Sequence, residues 1–165
     1  MKNIYFYSTG IGSIGIAADE NAITNLYFPG ESIPADYVVH ETALLKEAGR
    51  QLQSYMAGEL TFFSLPLAPS GTEFQRRVWK SLGAIPYGET CSYQAIAASL
   101  GSKNACRAVG QANNRNPIPI LIPCHRVIGA DGNLTGYGGG LEIKAYLLQV
   151  EKRQTEKTKD QRLFA

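Results

Sequence analysis

Over the first 28 residues, apolar positions come in short blocks separated by turn formers. "NIYFYS", "GSIGIAA" and "NAITNLYF" are rich in β-branched and aromatic residues, and Gly, Asp and Asn stand between them. These blocks predict a small antiparallel meander. Between residues 40 and 57 the period changes. Leu45, Ala48, Leu52 and Met56 recur at helical spacing and predict one amphipathic helix. "LTFFSL", residues 60–65, returns to strand character, and "LPLAPSGTEF", residues 65–74, has the prolines, serine and glycine of a linker. Beyond it the pattern is helical. Thr72 is placed to cap a helix whose buried stripe is Phe74, Val78, Trp79 and Leu82. "IPYGET" is a turn, Ser92 opens a second short helix, "YQAIAASL", that ends at Gly101, and Ser102 caps a third, "KNACRAVGQAN". Two short helices joined at a glycine have the look of a helix-turn-helix. Residues 152–165, "KRQTEKTKDQRLFA", lack apolar patterning and are expected to be frayed or solvated.

The expected class is therefore α+β. Residues 1–70 form a β-rich domain with one helix, residues 71–151 a helical domain, and residues 152–165 a charged tail. Composition changes this picture little: 44% apolar and 18% charged residues suit an ordinary buried core. No apolar run is long enough to span a membrane and no secretory signal is evident, so a cytoplasmic protein is expected. Charge changes it more. The net +2 hides an asymmetry, because residues 1–70 hold three Lys/Arg against seven Asp/Glu, while residues 71–165 hold thirteen against seven. A basic half suggests a polyanionic partner such as nucleic acid, although a merely solvated basic face gives the same count. The third helix adds to this. Ala105, Ala108, Gly110 and Ala112 keep it slim, with Arg107 projecting among them, which suits either close approach to another surface or helix packing inside the domain.

The cysteines, Cys91, Cys106 and Cys124, are odd in number and lack CxxC spacing, which argues for reduced thiols and against a zinc ribbon. Cys124 stands in "IPCHRVIG", directly before His125 and Arg126. A thiol attacks as its thiolate and is mostly protonated at neutral pH, so it needs a base, and a histidine supplies one directly or through a water. Neighbouring side chains point apart unless the chain turns sharply, and Pro123 favours such a turn. A third group should orient the histidine. Glu151, Glu142 and Glu89 are the acidic candidates.

The segment "NPIPILIPCHRVIGADGNLTGYGGGLEIKAYLLQVE", residues 116–151, strongly resembles the active-site segment of the O6-alkylguanine-DNA alkyltransferases, with their Pro-Cys-His-Arg intact. The likeness continues upstream through "YGETCSYQAIAASLGSKNACRAVGQANNRNP" and so covers nearly all of residues 71–151. The resemblance implies a small ribonuclease H-like N-terminal domain followed by a winged-helix, helix-turn-helix DNA-binding domain. It also implies single-turnover repair of double-stranded DNA, in which O6-alkylguanine (and, less well, O4-alkylthymine) is flipped out and its alkyl group passes to Cys124. Cys124, a water, His125 and Glu151 would form the relay, and Asn116 would bond the segment that holds them. Tyr93 would help rotate the target phosphate and protonate the leaving guanine, and Arg107 would replace the extruded base. Ala105, Ala108 and Gly110 would permit close entry into the minor groove, with Arg126 also assigned to DNA. Tyr137, Gly138, Gly139 and Pro123 would line the pocket. Neither a metal nor a cofactor is expected, and the protein would act as a monomer. Many relatives carry serine where this chain has Gly138, so the pocket is expected to be roomier or looser.

Other readings compete. A damage-sensing relative would lack the nucleophilic cysteine, which is present here. A cysteine hydrolase would turn over repeatedly and would leave the basic half unexplained. A Cys-His metal site lacks two further ligands at suitable spacing.

Overall fold

In the computed structural model, which describes residues 1–163, the meander forms as expected. Strands β1 (Asn3–Thr9), β2 (Gly12–Ala18) and β3 (Ile23–Tyr27) pair antiparallel in sequence. A fourth strand, β4 (Val38–Val39), pairs in parallel with β1, giving the order β3-β2-β1-β4. Its two residues were too few to carry a pattern. The buried face of β2, Ile14, Ile16 and Ala18, packs with Leu45, Ala48 and Leu52 of helix α1 (Ala43–Met56). Thr42 caps α1 by accepting from the Leu45 N–H.

"LTFFSL" is not a strand: residues 60–65 are irregular, and Ser64 instead exchanges a hydrogen bond with the buried Gln51 side chain. The expected linker is not free either. Leu67 forms a parallel bridge to Ile23, with the Ile23 N–H donating to the Pro66 carbonyl and the Ala68 N–H to the Ile23 carbonyl. The two prolines confine that pairing to the edge, where one missing donor does not break a ladder.

The second half begins with α2 (Glu73–Gly83), where Thr72 and Gln75 form a complete capping box. Its stripe, Val78, Trp79 and Leu82, is buried, and the Trp79 indole donates to the Ala112 carbonyl. Ser92 caps α3 (Tyr93–Ser99) as expected, and Gly101 takes the left-handed φ of 81° that turns the chain. Helix α4 spans Cys106–Asn114, three residues shorter at its start than the sequence suggests. Ser102 does not cap it with its side chain. Residues 102–105 form a turn closed by the Ala105 N–H on the Ser102 carbonyl, and the cap residue is Ala105.

The minimal strands β5 (Cys91–Ser92) and β6 (Val127–Ile128) pair in parallel, tying the start of α3 to the segment after Cys124. Helix α5 runs Leu141–Leu163 and so continues through most of the tail that was expected to fray; residues 164–165 lie outside the described residues. Residues 152–163 contain no Gly or Pro and are rich in Glu, Lys, Gln and Arg, so helix propensity carries the chain on after the buried face has ended. No helix among the described residues is long and apolar enough to cross a membrane.

Two glycines offer opposite tests of the packing. An alanine Cβ at Gly49, inside α1, would collide with the Tyr7 ring, whose hydroxyl donates to the Leu45 carbonyl at 2.8 Å. Helix propensity favours alanine by about 1 kcal/mol, but overpacking costs about 1–3 kcal/mol. Gly49→Ala is therefore expected to destabilise. At Gly83 a Cβ meets nothing, so Gly83→Ala should stabilise by up to about 1 kcal/mol. Urea unfolding of both variants reads the difference.

Candidate active site

The chain approaches Cys124 through a braced and strained segment. The Asn116 side chain accepts from the Ile118 N–H at 3.0 Å and donates to the Ile122 carbonyl at 2.8 Å, closing the loop on itself. Within that loop Ile120, which is buried, sits at φ 72°, a region that a β-branched residue enters only when its surroundings force it. The chain then makes a single 3-10 turn, Cys124–Arg126. This turn resolves how adjacent cysteine and histidine serve one site: it sends Cys124 toward a cavity and the next two side chains into the interior.

His125 is fully buried, and its Nε2 lies 2.6 Å from Oε2 of Glu151. Of the three acidic candidates, Glu151 is the one that meets the histidine, while Glu142 and Glu89 are exposed. Arg126 binds the same carboxylate through Nε at 2.9 Å and Nη2 at 3.1 Å, and its Nη1 donates to the Ile85 carbonyl. The expectation that Arg126 touches DNA is thereby corrected. Its guanidinium is 8% exposed as a residue and is spent neutralising a buried charge. Tyr55 of α1 donates to Glu151 Oε2 at 2.5 Å and lies 3.3 Å from His125 Nε2, and the Gly88 N–H donates to Oε1.

The charges follow from these contacts. Burial alone would raise Glu151, but the hydrogen bonds and charges of His125 and Arg126 outweigh it and hold the carboxyl at about 2. Burial lowers His125 despite the pull of Glu151, so the ring is neutral. With Nε2–H directed at Glu151, the Nδ1 lone pair is left as the base, and Nδ1 has no partner within the protein. Burial also pushes the Cys124 thiol up, so it does not ionise unaided; Asn116, Tyr137 and the charge of Lys144 pull partly in the other direction.

Cys124 opens on a cavity of about 190 Å³ lined by both halves of the chain. Leu26, Phe28 and Glu31 come from the first half, and Asn114, Tyr137 and Gly138 from the second. A Cβ at Gly138 would meet nothing, in keeping with the room expected there. Gly139 stands a layer back, where a Cβ would come within 2.9 Å of the Phe28 ring, and Pro123 is buried and does not line the cavity. The loop carrying Tyr137 is clamped from two sides. Thr135 donates to the Tyr93 hydroxyl at 2.9 Å, and the buried Lys144 donates to the Thr135 carbonyl at 2.8 Å.

Tyr55 and Lys144 were not among the candidates. For Lys144 a signal existed: residues 144, 147 and 151 share the inner face of α5, so a lysine and a glutamate occupy core positions around Leu147. For Tyr55 the helical stripe was read through its neighbour Met56, which is only partly buried. Elsewhere, α3 and α4 pack on each other, with Arg107, Ala108 and Gln111 exposed. A Cβ at Gly110 would make only ordinary contact with Tyr93, so internal packing does not demand the glycine. Among the described residues no cluster of three or more His, Cys, Asp or Glu is placed to hold a metal ion.

A buried cysteine facing a cavity, next to a buried histidine–carboxylate pair and in the same half as two helices joined at Gly101, is the arrangement expected of a nucleophile carried on a helix-turn-helix unit. Comparison with known proteins agrees. Residues 4–69 match the family model described as 6-O-methylguanine DNA methyltransferase, ribonuclease-like domain, and residues 73–153 match the corresponding DNA binding domain. A methylated-DNA–protein-cysteine methyltransferase of Methanosarcina barkeri is 53% identical over 146 residues, covering 86% of this chain and 92% of that protein. The constitutive enzyme of that name from Bacillus subtilis is 51% identical over 151 residues, covering 87% and 92%. The crystal structure of Mycobacterium tuberculosis OGT in complex with DNA superimposes with a TM-score of 0.88 at 46% identity, covering 92% of this chain and 94% of that one. The chain belongs to the O6-alkylguanine-DNA alkyltransferase family.

The buried network has a pH consequence. Unfolded, Glu151 and His125 bind protons near their ordinary values; folded, both resist them. Stability should therefore be full above about pH 6.5 and decline on acidification, first as unfolded histidine charges and then between about 4.5 and 2 as carboxylate pairing is lost. Glu151→Gln should remove the lower window and cost about 3 kcal/mol at pH 7, by thermal unfolding across that range.

Proposed function

We propose that this protein repairs DNA by direct reversal, moving an alkyl group from O6 of guanine in duplex DNA onto Cys124 in a single turnover. The observation that carries this reading is the buried Cys124 thiol, facing a cavity, with a neutral histidine base fixed beside it by Glu151. Arg107 and the slim α4 segment, with Ala108 exposed and Ala105 and Gly110 half-buried, serve entry into the minor groove, and Arg107 takes the place of the flipped base. Phosphate contacts of the basic half supply affinity that falls with salt.

The chemistry balances as a displacement. A water passes the Cys124 proton to His125 Nδ1. The sulfur lone pair forms a bond to the alkyl carbon as the C–O6 bond breaks. The electron pair of that bond goes to the purine, which takes a proton from Tyr93. Lys144 favours the thiolate by its charge, and Asn116 keeps the attacking segment closed. The product is a thioether, which offers water no carbonyl to attack, so the thiol does not return. The protein acts as a monomer on O6-alkylguanine and less well on O4-alkylthymine.

Intact mass after incubation with duplex DNA carrying one O6-methylguanine tests this reading. The wild type should gain one methyl group and Cys124→Ala none, with no second turnover when DNA is in excess. Repeated turnover would support a hydrolase instead, and tight binding without a mass change would indicate a damage sensor. His125→Ala, lacking its positioned base, should slow transfer about 10²–10⁴-fold.

A further inference from the structure

We infer that Tyr55, which the first half of the chain places against the relay, is a positioning residue that sets the basicity of His125 through Glu151. This rests on the relay reading of Cys124, His125 and Glu151 given above. The Tyr55 side chain is fully buried, and its hydroxyl donates at 2.5 Å to the same carboxylate oxygen, Oε2, that His125 Nε2 approaches at 2.6 Å. Three donors thus share Oε2, because Arg126 Nη2 also reaches it at 3.1 Å. The tyrosine withdraws negative charge from an oxygen that would otherwise serve only the imidazole and Arg126 Nη2, and so keeps the ring neutral and ready to accept a proton.

Its surroundings hold the phenol in that role. The ring packs against Phe63 at 5.2 Å between centroids, edge-on to Tyr87 at 6.2 Å, and edge-on to His125 at 6.5 Å. Burial and the charge of Glu151 keep the hydroxyl protonated, hence a donor. The other groups bearing on His125 are Glu151 and Lys144 from α5 and Arg126 from the 3-10 turn, with Cys124 beside it. Tyr87 of the loop before β5 and Tyr137 of the loop after β6 complete the ionisable surroundings. Of these, Tyr55 alone comes from residues 1–70. The sheet-and-helix half therefore does more than wall the cavity.

The test is the rate of methyl transfer from O6-methylguanine DNA as a function of pH, for wild type, Tyr55→Phe, Glu151→Gln and the double variant. Phenylalanine keeps the ring and deletes only the hydroxyl. With one donor gone, Oε2 favours the imidazolium more strongly. The acidic limb of the Tyr55→Phe profile should then move up by about one pH unit, with slower transfer along that limb and recovery at higher pH. In the Glu151→Gln background the same substitution should shift nothing further, because its route to the histidine is gone. A uniform loss of rate at every pH, or a lower melting temperature with an unmoved profile, would show a structural role and overturn the inference. If Glu151→Gln itself transfers like wild type across the range, the relay reading fails and this inference with it.

Discussion

One buried carboxylate fixes the arrangement of everything else. Glu151 accepts hydrogen bonds from the Tyr55 hydroxyl, His125 Nε2, Arg126 Nε and Nη2, and the Gly88 N–H. A charge taken out of water costs several kcal/mol unless such partners surround it, and breaking a buried pair leaves an uncompensated ion. The donors arrive from α1, from the loop before β5 and from the 3-10 turn, while the carboxylate itself hangs from α5. None of these elements can move far without stranding the charge. The packing is thus pinned at the point where the chemistry needs rigidity, and the histidine inherits its tautomer and orientation from the same pin.

The nucleophile lies on the strained side of this pin. Ile120 is held in a left-handed conformation and Asn116 stitches its loop shut, so the turn presents Cys124 at a set depth. Burial makes the thiol less acidic than a free one, and the site does not store a permanent thiolate. It keeps the sulfur protonated in the resting state. For a protein whose nucleophile can be spent only once, a quiescent thiol limits loss to stray electrophiles.

Much of this was legible in the sequence, and what was not has specific causes. The meander, α1, the Thr72 cap and the Ser92 cap rest on local patterns that the structure satisfies locally. The errors arose where local pattern and tertiary setting disagree. "LTFFSL" has strand composition but spends Ser64 on the buried Gln51 side chain, and residues 152–163 lack an apolar stripe yet meet no helix breaker. At the site, Cys124, His125 and the candidate Glu151 could be named from residue type and adjacency. Arg126 was misassigned because a positive charge beside a nucleophile reads as a contact for phosphate, whereas the buried acid that claims it lies 25 residues away. Tyr55 was invisible for the same reason, since its partner Glu151 lies 96 residues away in the chain.

The docked segment at residues 66–68 carries a further consequence. It adheres to β3 through backbone hydrogen bonds, so the crossing from one half to the other starts from a fixed point and not from a swinging tether. The two halves then meet as ligand and receptor held at high effective concentration, joined by the Tyr55–Glu151 contact, the Leu26 N–H on the Pro117 carbonyl and the Phe28–Tyr137 ring pair. Covalent continuity through residues 69–71 supplies proximity and little else. The chain is in that sense a complex of two partners that happen to be translated together, and the recognition site between them is also where the reaction takes place.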